Sequence, residues 1–77
     1  MITETPFPHS MVRTLSQNVS NEMHAINDKI ADLSDTIERD EYLSRLILLQ
    51  GSLSLLTLAT IREDRLFLQR AVDLLRS

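Results

Sequence analysis

The side chains that could carry chemistry are few and scattered. The 77 residues include no cysteine that could act as a nucleophile, and a single glycine cannot build a phosphate-binding loop. His24 and Asp28 are four residues apart, so on a helix they share a face and could touch one metal ion. Two ligands do not make a metal site, and a solvated polar pair is the expected arrangement. The sequence therefore predicts no catalytic residue, no cofactor and no metal, in a protein that is not an enzyme.

Charge and composition narrow the classes of partner and compartment. The net charge is −3 and the eight Lys and Arg residues are scattered, which disfavours nucleic-acid binding. Asp28, Asp32 and Asp35 line one helix face, which is expected to be solvated, with a basic partner patch as the alternative. The first ten residues carry two prolines and no basic residue, unlike a secretion signal. With no cysteine, this predicts a cytoplasmic protein and fits a reducing compartment.

The same composition favours helix throughout. Fourteen leucines stand against one glycine, so there is little turn chemistry for hairpins of strands. A chain this short buries only about 60% of its unfolded surface, which makes a stable monomer marginal without a disulfide, a metal or a partner. We therefore expect an all-α protein that relies on a partner chain.

The first helix is expected to follow an extended tail over residues 1–9. Pro6 and Pro8 disfavour helix there, and Ser10 is a plausible N-cap for a domain spanning residues 10–77. Apolar residues then recur about every 3.6 positions, which is the period of one helix face. This stripe consists of Val12, Leu15, Val19, Met23, Ile26, Ile30, Leu33 and Ile37.

A second helix is predicted from about residue 41 to 75, with Asp40 as its cap. Its stripe faces the first helix across a seam, in an antiparallel two-helix hairpin that resembles a coiled coil. Asp64 would fall inside the seam if this helix were straight, so we expect a bend or break near Gly51 or Thr60. One unbroken helix in a coiled coil is the alternative. The main seam residues of the second helix are Tyr42, Leu46, Leu49, Leu53, Leu56 and Phe67.

The second helix carries more apolar surface than one seam can use. A further stripe could be a docking face for another protein, because a helix that is apolar on two sides must bury both. Alternatively, it fills a larger core against a third segment formed by residues 63–76. The predicted docking residues are Ile47, Leu48, Gly51, Leu55, Leu58 and Ala59.

Residues 46–61 contain no charge, which raises a membrane alternative. Sixteen helical residues reach only about 24 Å, against about 30 Å of hydrocarbon, and Gln50 with four Ser or Thr residues weakens insertion. A buried or docking helix is therefore favoured over a single membrane span.

The pattern resembles the small co-chaperones of bacterial type III secretion. The features that carry the resemblance are size, acidic charge, a two-helix hairpin and the run Asp40-Glu41-Tyr42 leading into a Leu-rich helix. The resemblance covers roughly residues 12–61. Two features depart from it, namely a turn without glycine and a mixed-charge segment after Arg62.

The resemblance implies a non-enzymatic partner of a helical-repeat chaperone in the bacterial cytosol. Such a protein stabilises the chaperone and, through it, keeps a secreted needle subunit from polymerising early. A self-associating hairpin that forms a homodimeric four-helix bundle is the competing hypothesis.

Overall fold

A computed structural model describes residues 6–76. Within this range the chain forms three helices and no strand: α1 (His9–Asp32), α2 (Thr36–Arg62) and α3 (Arg65–Leu75). The all-α prediction is confirmed. The prediction of two helices is wrong, because the expected second helix is divided into α2 and α3.

The core lies where α2 contacts both of the other helices. Leu49, Leu56 and Ala59 of α2 are completely buried. They are joined by buried residues of α1 (Val12, Val19 and Ile26) and of α3 (Leu68 and Ala71). The central helix thus supplies the middle of a small three-helix core, and α1 and α3 each cover a different side of it.

The residues predicted for the seam mostly lie in or against this core. Five are buried: Val12, Val19, Ile26, Leu49 and Leu56. Seven are partly buried and pack against the buried cluster: Leu15, Met23, Ile30, Tyr42, Leu46, Leu53 and Phe67. Leu33 is half-buried, at the end of α1. Ile37 was wrongly placed, since it is 73% exposed in the first turn of α2 rather than at the end of α1.

The connection between α1 and α2 comes earlier than expected and needs no glycine. Leu33 and Asp35 both have extended backbone, which any residue can adopt. The Asp35 carboxylate accepts hydrogen bonds from the amides of Ile37 and Glu38, at 2.9 and 3.4 Å. Asp35, rather than the predicted Asp40, therefore caps α2. Asp40 lies within the helix.

The helix does not end at Gly51, which lies inside α2. It ends just beyond Thr60, where Glu63 has the left-handed backbone conformation that terminates many helices (φ 52°). Asp64 then accepts a hydrogen bond from the amide of Leu66 at 2.8 Å and caps α3. The break converts Asp64 from a charge in an apolar seam into a capping group.

The return of α3 onto α2 brings two helices into close contact. Ser52 is completely buried, and its hydroxyl donates a hydrogen bond to the carbonyl of Ala71 at 3.1 Å. A Cβ built on Gly51 would lie 3.3 Å from Cδ2 of Leu74. Small side chains on both helices thus allow this approach.

Polar contacts relate the ends of α1 and α2. At one end, His9 Nε2 lies 2.9 Å from Glu63 Oε1. At the other end, the ammonium of Lys29 donates to the hydroxyl of Tyr42 at 3.4 Å and lies over its ring. The start of α1 therefore lies near the end of α2, and the end of α1 near the start of α2.

The segment that precedes α1 packs back on the helices. Phe7 is partly buried against the core. The guanidinium of Arg65 donates a hydrogen bond to the carbonyl of Pro6 at 2.9 Å. Of the residues predicted as an extended tail, Pro6 thus contacts the start of α3, His9 already belongs to α1, and residues 1–5 lie outside the described range.

Candidate protein-interaction surface

The polar residues with potential chemistry do not converge. His24, Asp28 and Asp32 are exposed along α1, whereas Asp35 is occupied as the cap of α2. Across residues 6–76, no group of three or more His, Cys, Asp or Glu side chains is placed to hold a metal ion. The candidate functional surface is therefore formed by apolar residues.

The six predicted docking residues separate into two groups. The first group faces α3: Ala59 is completely buried, Leu55 packs against the core, and Gly51 adjoins Leu74. Leu48 is half-buried. The segment over residues 63–76, considered as an alternative cover for this stripe, thus forms α3 and covers part of it. For Ala59 this corrects the docking assignment, because a completely buried side chain offers no surface to a partner.

The second group remains exposed. Ile47 is 69% exposed and Leu58 is 39% exposed. Two further apolar residues, Leu43 and Ile61, are 38% and 74% exposed. At about 100° per residue all four lie within an arc of about 60° on α2, opposite the core. We call the surface formed by Leu43, Ile47, Gln50, Ser54, Thr57, Leu58 and Ile61 the outer face of α2.

The outer face carries no charge over its whole length. It spans 18 residue steps, or about 27 Å of helix. Gln50, Ser54 and Thr57 occupy its middle, and the Thr57 hydroxyl already donates to the carbonyl of Leu53 at 3.0 Å. A partner could therefore bury Thr57 without leaving its hydroxyl donor unpaired. The face has the length and chemistry of a helix-packing surface.

The ion pair that joins α2 to α1 lies on the side of α2 away from the outer face. Arg45 donates two hydrogen bonds to the carboxylate of Glu22, at 2.7 and 3.4 Å, and so joins α2 to α1. The hydrogen bond with Glu22 raises the pKa of Arg45, so the guanidinium stays charged at all ordinary pH values. This pair belongs to the contact between the two helices and adds no charge to the outer face.

An apolar groove also lies between α1 and α3. Met11 and Leu15 on one side and Val72 on the other line a volume of about 470 Å³, with Ser10, Thr14 and Asn18 at its margin. No sequence pattern indicates this groove, because it exists only once α3 folds back. Leu43 and Ile61, in contrast, could have been found, since they fall in the same arc as Ile47 and Leu58.

By length and composition, α2 is long and apolar enough to cross a membrane, since an 18-residue stretch within it has a mean hydropathy of 1.4. This is weak evidence, because buried helices of soluble proteins share the property. Two sides of α2 are already covered by α1 and α3.

Geometry and burial are thus the basis on which a function can be proposed. Comparison of the chain with protein-family models, with curated proteins and with solved structures found no match.

Proposed function

We propose that this chain is a non-enzymatic protein-interaction module that binds a helix of another protein through the outer face of α2. The observation that supports this most directly is an uncharged surface about 27 Å long with Ile47 and Ile61 largely in contact with solvent. A single exposed aliphatic residue is ordinary on a soluble protein, but here two pairs share one arc of α2, one pair toward each end of the outer face.

The energy available on this face suits a stable complex. Complete burial of a Leu or Ile side chain contributes about 1.5–3 kcal/mol. Ile47 and Ile61 keep about 70% of their exposure, so most of that contribution is still unrealised. Leu43 and Leu58 would add smaller amounts. The summed free energy of burying these side chains must exceed the cost of association. A partner that covers the whole face at once is therefore favoured.

In this proposal α1 and α2 form an antiparallel hairpin, and α3 packs against α2 and supports it. The contacts that join His9 to Glu63 and Lys29 to Tyr42 support this orientation. The hairpin would present α2 as a rigid ridge, because three helices share one core. A rigid binding surface loses less entropy when its partner binds.

The biological role we propose is that of a co-chaperone or adaptor in the bacterial cytosol. The partner would be a helical-repeat chaperone of type III secretion, which the module stabilises for binding the needle subunit. The resemblance in size, acidic charge and the run from Asp40 to Tyr42 supports this role. The separate helix α3 departs from the two-helix pattern and would act as an additional support.

The test is co-expression with a helical-repeat chaperone from the same genome, followed by light scattering of the purified complex. We expect a discrete complex with the native chain and its loss with Ile47→Asp, because the substitution places a charge within the apolar contact. The matched control is Leu66→Asp on α3. Leu66 is 58% exposed but lies away from the outer face, so this variant should retain the complex.

Failure of every such chaperone to form a complex would overturn the co-chaperone role. Equal loss of the complex in both variants would overturn the assignment to the outer face. The membrane candidate, favoured only by the hydropathy of α2, predicts instead that the chain requires detergent for extraction.

A further inference from the structure

We infer that, before another partner binds, the outer face of α2 packs antiparallel against the same face of a second copy of the chain. Leu43 of each copy would then face Ile61 of the other. This inference rests on the proposed function, because both use the same surface, but it names a different occupant for the unbound state.

The first observation is that the outer face is nearly palindromic. Leu43 and Ile61 each lie nine residues from position 52, and Gln50 and Ser54 each lie two residues from it. Ile47 and Leu58 lie five and six residues away, on opposite sides. A two-fold interface requires a surface that is complementary to itself, so that each residue meets its counterpart twice. At its two ends and at its centre, the outer face meets that requirement when two copies run in opposite directions.

Polarity follows the same symmetry. Large aliphatic residues lie toward both ends of the face, and Gln50 with Ser54 occupy the centre. Antiparallel packing would place Gln50 of one copy beside Ser54 of the other, where an amide and a hydroxyl can form a hydrogen bond. The small Ser54 also lets the two helices approach at their crossing point. At the ends of the face Leu43 would meet Ile61, and at its centre Gln50 would meet Ser54, whereas Ile47 would face Thr57.

Charge decides the direction of packing. Asp40 and Arg62 are both exposed, near opposite ends of α2, and lie on the same edge of the outer face. An antiparallel pair would bring Asp40 of each copy near Arg62 of the other. A parallel pair would form no such contact, because it would leave Asp40 of one copy and Arg62 of the other at opposite ends of the interface. Arg62 lies over the ring of Phe67, with its guanidinium carbon 5.6 Å from the ring centre, and this contact holds it at that edge.

The test uses the absence of native cysteine. Two single variants, Leu43→Cys and Ile61→Cys, are purified separately, one with a mass tag, then mixed, exchanged and oxidised. We expect a mixed disulfide between the two variants and little dimer from either alone. In the antiparallel pair, equivalent positions would be about 27 Å apart, far beyond disulfide reach. Asn21→Cys, on the exposed side of α1, is the control and should form no disulfide-linked dimer under oxidation.

A second measurement is the solution mass over a concentration series without detergent. We expect a dimer whose dissociation constant rises at least about tenfold in Ile47→Asp and is unchanged in Leu66→Asp. A monomer at all concentrations, or disulfides that link equivalent positions, would overturn the antiparallel dimer while leaving the proposed adaptor function intact. If Ile47→Asp broke the dimer but the chaperone complex survived, the assignment of the chaperone contact to the outer face would fail, while the adaptor role would stand.

Discussion

Gly51 lies where the end of α3 passes over α2, so its missing side chain has two opposing effects. Within a helix, glycine destabilises by about 0.5–1 kcal/mol relative to alanine. The atom that a new Cβ would meet, Leu74 Cδ2 at 3.3 Å, is the far end of a flexible side chain near the end of α3. A shift of a few tenths of an ångström would accommodate it.

We therefore expect Gly51→Ala to increase the free energy of unfolding by up to about 1 kcal/mol. The measurement is urea denaturation followed by circular dichroism, with the native chain measured in parallel. A decrease in stability would mean that Leu74 cannot shift and that the close approach of α3 requires glycine.

Ser52, the next residue, shows how one buried hydroxyl connects two helices. Its bond to the carbonyl of Ala71 satisfies a donor that would otherwise be unpaired in the core. The sequence could not indicate this role of Ser52, because the acceptor lies 19 residues further along the chain, on a helix that folds back.

At the scale of the elements, α2 and α3 both begin at a capping carboxylate rather than at a glycine or proline. Asp35 and Asp64 each accept backbone amides at the start of a helix, and both have extended backbone. A capping carboxylate contributes typically about 1 kcal/mol. Since such caps need only Asp at the right place, they leave a weak signal in a sequence that contains eleven acidic residues.

Asp35→Ala is accordingly expected to lower the free energy of unfolding by about 1 kcal/mol, since it removes both amide contacts at the start of α2. Asp40→Ala is the matched control, because Asp40 lies within the helix and caps nothing. Thermal denaturation of the two variants compares the positions directly. A larger effect at position 40 would argue for a helix that begins where the sequence pattern first placed it.

The apolar periodicity predicted the helical class and most of the core. Twelve of the fourteen predicted seam residues are buried or pack against the core, because a period of 3.6 reports which side of a helix is covered. The periodicity could not reveal what covers the further apolar stripe of α2. Leu48, Leu55 and Ala59 look alike in sequence whether α3 or another protein contacts them.

At the scale of the whole molecule, the fold depends on the close fit of α3 against α2. Ala59 and Ala71 are both completely buried, one on each helix. Small residues at these positions allow the helices to approach, and a larger side chain in a filled core typically costs about 1–3 kcal/mol.

Ala71→Leu should therefore destabilise the protein by about 1–3 kcal/mol. The matched control is Ala25→Leu, which makes the same change at an exposed position of α1 and should alter stability by less than about 0.5 kcal/mol. Denaturant unfolding of both variants gives the comparison. Equal stability of the two would indicate that α3 is not packed on α2 in solution.

The hydrogen bond from Arg65 to the carbonyl of Pro6 joins positions 59 residues apart. A contact of that span cannot form while the chain is still being made, until the ribosome has released the beginning of α3. The start of α1 must therefore wait for α3 before its own anchoring is complete. Changes that loosen the packing of α3 would therefore increase the access of proteases and modifying enzymes to the residues around Phe7, near the other end of the sequence.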